Sequence, residues 1–204
     1  MTDRQRMWDE RYAASDRVWS ASPNAEVERI VGGWKPDQAA HGRRGGRALD
    51  LGAGEGRHAL WLASLGWQVT AVDFSAVGLG KGEAEASSRG LHVDWVVADA
   101  RSWQPPAGTS YDLVLVAYLH LPEDVLSRAT RWLAPGGALV VVGHALRNLT
   151  EGVGGPSDAA LLHTLEELRT AAAELEVERC EEVVRPTEGG DAIDAVLVAR
   201  RPTG

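Results

Sequence analysis

The chain has 204 residues, 44% of them hydrophobic and 25% charged, with a formal net charge of −8. That length suits one domain with a complete core, and the acidic balance argues against a nucleic-acid partner, whose phosphates need a basic surface. No apolar run approaches the roughly 20 residues of a membrane helix and no charged-then-apolar leader opens the chain, so a cytoplasmic protein without a membrane partner is expected.

Residues 3–14 have helical spacing, with Trp8 and Tyr12 four apart and therefore on one face. Ser15-Asp16 breaks the pattern, Val18-Trp19 leads into Ser22-Pro23, and Asn24 is a suitable N-cap for a second helix through Ile30 and Val31. Residues 35–46 are polar and glycine-rich and read as a surface loop that includes Arg43 and Arg44. A regular alternation follows. Strand 47–51 precedes helix 56–65, strand 68–73 precedes a helix from about Ser75, and strand 93–98 comes next. Strand 111–117 precedes helix 122–133, and strand 138–143 follows Pro135-Gly136-Gly137. Gly78, Gly80 and Gly82 fall inside the helix after Ser75. Each costs about 1 kcal/mol relative to alanine, so that helix is expected to be short, irregular or mobile.

Residues 147–157 read as a long loop, and Thr164 with Glu167 as a capping box for helix 165–175. Strands 176–185 and 192–200, joined by Glu188-Gly189-Gly190-Asp191, read as a hairpin. Apolar strands alternating with helices imply a mostly parallel sheet covered on both faces. The expectation is one α/β, Rossmann-like domain with seven strands, the last antiparallel. The lone Cys180 cannot form an internal disulfide and reads as a buried, inert thiol. Eight Trp beside one Phe suggest that some of these flat rings line a pocket.

The most informative stretch is Arg47-Ala-Leu-Asp-Leu-Gly-Ala-Gly-Glu-Gly-Arg-His-Ala-Leu-Trp-Leu-Ala63. A short buried strand runs into a glycine-rich turn and then a helix, a layout that permits close ligand approach to free helix-start N–H groups. The spacing is D-x-G-x-G-x-G; the dinucleotide fingerprint G-x-G-x-x-G is absent. In an open parallel sheet, ligands bind beyond the carboxyl ends of the strands. Asp73 ends the second strand and can accept hydrogen bonds from two ribose hydroxyls, with Phe74 beside it to lie against adenine. Asp99 ends the third and can accept from an adenine amino group while the Ala100 N–H donates to a ring nitrogen. The competing role for both aspartates is helix N-capping.

The glycine turn resembles motif I of the class I S-adenosylmethionine (SAM) methyltransferases. The wider run LDLGAGEGRHALWLASLGWQVTAVDFS is similar to small bacterial methyltransferases of the tellurite-resistance type. So are Trp8-Asp9-Glu10-Arg11-Tyr12, Tyr118-Leu119-His120-Leu121-Pro122 and Leu133-Ala134-Pro135-Gly136-Gly137. The resemblance covers about residues 8–145 well. It implies SAM as cofactor, S-adenosylhomocysteine as product, and a small-molecule methyl acceptor. Gly52, Ala53 and Gly54 would face the methionine part, and Asp50 its amino group. Ala117 and Tyr118 would add backbone contacts at the same end. Arg57 would attract the carboxylate or face solvent, and His58 would be packed or exposed.

Trp8, Tyr12 and Trp19 can pack a helix on the sheet or form a lid over the sulfonium, which aromatic faces attract. In-line methyl transfer asks mainly for alignment and a dry site. A hydroxyl acceptor needs a base, a thiolate does not. Tyr118, His120, His144 and Asn148 follow strands four and five, where an acceptor can lie, and His120 and His144 are the candidate bases. No Cys/His/carboxylate group has metal-ligand spacing. The expected layout is an N-terminal helical lid (1–34), a SAM-binding core (47–145) and a C-terminal helix with a strand hairpin (146–204), as a monomer or homodimer. The other readings are a SAM-binding module without catalysis and, disfavoured by the glycine spacing, a nicotinamide dehydrogenase.

Overall fold

A computed structural model of the chain describes residues 2–36, 46–121 and 123–203. Most of the expected loop 35–46, with Arg43 and Arg44, and the helix start expected at Pro122 lie outside the described residues. The strands are β1 (Arg47–Leu51), β2 (Gln68–Asp73), β3 (Val93–Val97), β4 (Tyr111–Ala117), β5 (Leu133–His144), β6 (Glu176–Thr187) and β7 (Gly190–Arg200). The helices are α1 (Asp3–Ala13), α2 (Ala25–Val31), α3 (Arg57–Ser64), α4 (Ala76–Ser88), α5 (Glu123–Thr130), α6 (Asn148–Glu151) and α7 (Leu165–Ala171).

The strands form one sheet in the order β3-β2-β1-β4-β5-β7-β6. The first five are parallel, and β7 runs antiparallel to both β5 and β6. Strand order reverses between β1 and β4, which opens a crevice beyond the carboxyl ends of those strands. The sheet is apolar on both faces. Leu49, Val114, Val141 and Leu197 pack with Leu126 of α5 and Leu168 of α7. On the other face Ala48, Leu113, Leu115 and Val140 pack with Val27 and Val31 of α2 and Leu62 of α3. Among the described residues no helix is long and apolar enough to cross a membrane.

Local signals explain most element ends. Asn24 Oδ1 accepts from the Glu26 and Val27 N–H groups and starts α2. Thr164 and Glu167 form the reciprocal capping box of α7, which stops at Ala171, short of the expected 175. The hairpin is tighter than expected: Thr187 pairs with Gly190, leaving Glu188 and Gly189 as the connection. The expected loop at 147–157 contains the single turn of α6.

The glycine-bearing helix corrects the sequence expectation most clearly. Helix α4 is continuous over 13 residues, because two of its glycines are where other chain segments press closest. A Cβ on Gly78 would lie 3.0 Å from the Gly54 carbonyl oxygen and 3.0 Å from the Tyr12 ring. A Cβ on Gly82 would meet the Trp95 ring at 2.6 Å and the Glu55 carbonyl oxygen at 2.9 Å. Propensity is given up so that α4 can lie against the glycine turn and the N-terminal segment.

Candidate active site

The turn after β1 is shaped by positive-φ glycines, Gly52 at +84° and Gly54 at +57°. Crowding reinforces the choice: a Cβ on Gly52 would fall 2.5 Å from Leu119, and one on Gly54 2.6 Å from the Tyr12 hydroxyl. Asp73 fastens the turn to the end of β2. Its Oδ2 accepts from the Gly54 N–H at 2.9 Å and its Oδ1 from the Ser75 N–H at 2.8 Å. Burial raises its carboxyl above the usual range, against the pull of those two bonds and of the Phe74 backbone N–H. A carboxylate has about four acceptor sites, so it can still accept from a ligand. Asp50, within β1, is fully buried, and burial pushes its carboxyl up to about 7 despite a hydrogen bond from the Ala59 backbone in the first turn of α3. Its Oδ2 has no partner among the described residues.

The N-terminal aromatics close over this turn. Trp8 lies 5.5 Å from Tyr12 and 6.0 Å from Trp19, ring centre to ring centre. Beneath them is a narrow cavity of about 80 Å³, walled by Gly52, Ala53, Gly54, Asp73, Phe74 and Ala117 among others. The segment that carries Trp19 is anchored by Glu55. This buried carboxylate accepts from the Val18 N–H at 2.9 Å, the Trp19 N–H at 3.1 Å and Lys81 Nζ at 3.1 Å. Ser75, the N-cap of α4, bonds to Asp9 of α1, and Gln5 Nε2 donates to the Phe74 carbonyl at 2.8 Å.

A second cavity, about 540 Å³, shares Arg4, Trp8, Trp19, Arg57 and Tyr118 with the first and extends past His120 and His144 to Gly155 and Pro156. Its polar wall is a network centred on Asp194 of β7, which is fully buried. Asp194 Oδ2 accepts from the Tyr118 hydroxyl at 2.6 Å and from Arg185 Nε at 2.7 Å, and Asn24 Nδ2 donates to the Tyr118 hydroxyl at 2.9 Å. His144 Nδ1 stands 3.4 Å from Asp194 Oδ1. Burial alone would raise the Asp194 carboxyl, but its neighbours His144, Arg185 and Tyr118 hold it below the ordinary range; the His144 Nδ1, though 3.4 Å away, makes no hydrogen bond of good geometry to it. Burial and then the Asp194 charge push the Tyr118 hydroxyl up, so it stays a donor. Tyr118 is the one non-glycine described residue with positive φ, at 55°, which turns its ring into this network at the end of β4.

The two candidate bases differ. His120 stacks on His163 with ring centres 5.0 Å apart, and its Nε2 is buried without a partner. Burial, aided by His163 and His144, lowers its pKa to about 3, too weakly basic for proton abstraction at neutral pH. His144 has a carboxylate behind one ring nitrogen and the cavity beside it.

Not every residue singled out in the sequence reaches these cavities. Asp99 is engaged by Arg101, with Nη2 at 2.6 Å, and neither Asp99 nor Ala100 lines them. The Arg101 guanidinium is the main reason the Asp99 carboxyl is lowered. Asn148 is buried away from both; it accepts from the Ile193 N–H at 2.7 Å and donates to the Gly154 carbonyl at 2.8 Å, so it clamps the loop. His58 does line the first cavity, but its Nε2 accepts from the Asn24 N–H at 3.1 Å and it is a packed, neutral histidine. Arg57 lines both cavities and makes no ion pair among the described residues. Asp194, Glu55, Arg4, Arg11 and Arg185 were not anticipated. A lone Asp within Ala-Ile-Asp-Ala-Val-Leu-Val-Ala was the available signal, since a buried charge needs partners. Among the described residues no group of His, Cys, Asp and Glu is placed to hold a metal.

Comparison with known proteins accords with this geometry. Residues 48–137 match the model of a methyltransferase domain. This segment is similar to methyltransferase domains. The ubiquinone biosynthesis O-methyltransferase of Burkholderia vietnamiensis is 33% identical over 133 residues, 59% of this chain, and the chain spans 55% of that relative's length. Three solved structures share the fold of the methyltransferase domain and its surroundings. They are TehB from Haemophilus influenzae (19% identity, TM-score 0.65, 86% of this chain and 60% of that one) and the N-methyltransferase NodS from Bradyrhizobium japonicum with S-adenosylhomocysteine (20%, 0.66, 98% and 100%). The third is the cyclase SpnF (23%, 0.71, 98% and 95%). The seven-stranded, mostly parallel sheet with an antiparallel end is therefore the fold expected from the sequence.

Proposed function

We propose that the chain is a SAM-dependent methyltransferase acting on a hydroxyl of a small molecule. One observation carries the reading: the glycine turn fastened by Asp73 lies under the same aromatic residues that wall the cavity holding the His144–Asp194 pair. The turn suits the cofactor, because side chains at Gly52 or Gly54 would collide with Leu119 or Tyr12 and only bare backbone leaves room for a ligand. Asp50, with a buried oxygen lacking a partner among the described residues, leaves an unspent acceptor behind the turn, and Arg57 supplies an unpaired positive charge in front of it. These suit the ammonium and carboxylate of an amino acid. Asp73 takes the ribose hydroxyls, and Phe74 lies against the adenine.

When bound, SAM supplies an electrophilic methyl group on a sulfonium. Trp8, Tyr12 and Trp19, borne on residues 1–34, close over that group and exclude water; this segment is the lid. His144 receives the acceptor proton on Nε2 while Asp194 steadies Nδ1–H and the charge that forms. Tyr118, locked by Asn24 and Asp194, forms the floor between the two compartments. His120 shapes the acceptor cavity as a neutral ring.

The cyclase among the similar structures is a reason to take the reaction from the site and not from the fold. The name of the Burkholderia relative, an O-methyltransferase, supports a hydroxyl acceptor. The one cysteine, a buried thiol pushed up by its surroundings, accords with a reducing cytoplasm. Calorimetry with S-adenosylhomocysteine and with NAD tests the cofactor. Asp73→Ala is expected to weaken S-adenosylhomocysteine binding by about 1.5–3 kcal/mol, the scale of hydrogen bonds to a charged group. Unchanged affinity in a folded variant removes Asp73 from the site.

A further inference from the structure

The acceptor cavity is basic in an acidic protein. The chain carries a formal charge of −8, yet the cavity is lined by Arg4, Arg11, Arg57 and Arg185 and, among the described residues, by no Asp or Glu; Asp194 lies behind Tyr118, His144 and Arg185. Two of these charges are accounted for. Arg185 is paired with Asp194 at 2.7 Å, and Arg57, which also lines the turn cavity, serves the cofactor carboxylate in the reading above. Arg4 and Arg11 remain. Neither forms an ion pair among the described residues. Arg11 is held over the rings of Trp8 at 5.0 Å and Trp19 at 5.4 Å, which fixes a guanidinium against aromatic walls. Arg4 lies where both cavities meet. Residues four and eleven share a helix but are seven apart, close to two turns, so both face the crevice.

Unpaired guanidinium groups at a recess with low-dielectric walls favour an anion, and their planar forks match a carboxylate. The remaining wall, with Met7, Trp8, Trp19, Pro156 and Leu161, suits a flat apolar body and not a polyanion.

We propose that the acceptor is a small hydroxylated aromatic acid. Its carboxylate is held by Arg4 and Arg11, its ring lies among Trp8, Trp19 and Tyr118, and its hydroxyl reaches His144. The placement of the hydroxyl rests on the methyltransferase reading; the recognition of the carboxylate rests on the arginines. In the reaction the hydroxyl proton passes to His144, the oxygen forms the new bond to the methyl carbon, and the methyl–sulfur bond breaks with its electron pair returning to sulfur.

The test uses the full chain and a matched pair of probes, 3,4-dihydroxybenzoate and its neutral amide. Binding is followed by tryptophan fluorescence, with and without S-adenosylhomocysteine. The acid is expected to bind at least tenfold more tightly than the amide. Arg11→Gln should erode that preference, Arg11→Lys should retain part of it, and the double substitution of Arg4 and Arg11 by Gln should abolish it. Equal binding of acid and amide by the unaltered chain, binding of neither, or a tenfold preference surviving in the double variant would overturn the proposal. The comparison on the unaltered chain decides the matter even if the double variant does not fold. Failure to bind S-adenosylhomocysteine counts against the methyltransferase reading instead, because the acid–amide comparison is also made without it.

Discussion

His144 Nδ1 and Asp194 Oδ1 lie 3.4 Å apart across the antiparallel pair β5–β7, where the two residues are register partners. A carboxylate behind Nδ1 orients the ring and favours the Nδ1–H tautomer, with the second ring nitrogen left to act on an acceptor. His144→Ala is expected to lower turnover of a hydroxyl acceptor by about 10²–10⁴-fold, the usual scale for a general base, with S-adenosylhomocysteine affinity nearly unchanged. An acidic thiol, already ionised, should suffer much less. Equal losses on the two acceptor types would reduce His144 to a positioning role. Asp194→Ala should also unfold the protein more easily, by roughly 3 kcal/mol, because Arg185 and Tyr118 lose a buried partner; chemical denaturation measures this.

The lid hangs on Glu55. Glu55→Ala removes acceptors from the Val18 and Trp19 N–H groups and from Lys81. The expected result is a folded chain that is cut faster by protease near residues 15–20 and releases S-adenosylhomocysteine faster in a dilution experiment. Removal of residues 1–20 should leave a still weaker binder. Retention as tight as in the full chain would mean that Trp8, Tyr12 and Trp19 serve packing alone.

Stability should fall in mild acid. His58, His120 and His163 are held neutral by burial, with pKa lowered to about 3, 3 and 4. A depressed histidine binds no proton when folded but does when unfolded, so its contribution is lost as pH drops from about 6.5 towards those values. Asp50 acts in the opposite sense: its carboxyl, raised to about 7 by burial, disfavours the folded state as pH rises from about 4 to 7. Asp73, raised by burial as well, acts in the same sense as Asp50; with three histidines against two carboxyls, the melting temperature should decline from pH 6.5 to pH 4. His58→Gln, which keeps an acceptor for the Asn24 N–H, should flatten that slope, and Asp50→Asn should steepen it. Parallel profiles for all three proteins would refute the assignment.

Helix α4 offers a paired stability test. Nothing lies within 4 Å of a Cβ placed on Gly80, so Gly80→Ala should stabilise by about 0.5–1 kcal/mol. Gly82→Ala drives a methyl into the Trp95 ring and the Glu55 carbonyl and should destabilise by about 1–3 kcal/mol. Thermal melts of the two variants moving in the same direction would contradict the packing account.

What could be read from the sequence was local. The glycine turn, Asp73 and the strand ends announce themselves within a few residues, because backbone conformation and strand–turn–helix order are short-range properties. The Asp194 network was hidden because Tyr118 and Asp194 are 76 positions apart and only the sheet order brings β7 beside β5. The place of Asp99 at a strand end suggests an adenine contact, but the side chain of Arg101, two residues on, holds it. The place of Asn148 after strand five suggests an acceptor contact, yet its short amide is spent on backbone that would otherwise be unsatisfied. The α4 glycines looked like weakness because their partners, Tyr12 and Trp95, come from other segments.

The position of β7 between β5 and β6 has a consequence for how the molecule is made. During synthesis β5 and β6 both emerge before the strand that joins them, so each waits with an unpaired edge. Residues 47–142 can gather the five parallel strands while the side of the sheet that carries Arg185 and Asp194 is still open. Insertion of β7 is therefore a late event, linked to contacts of long sequence separation such as His144 with Asp194. A nascent chain acquires the glycine turn first, and the polar wall of the larger cavity only when its final strand slides into the gap.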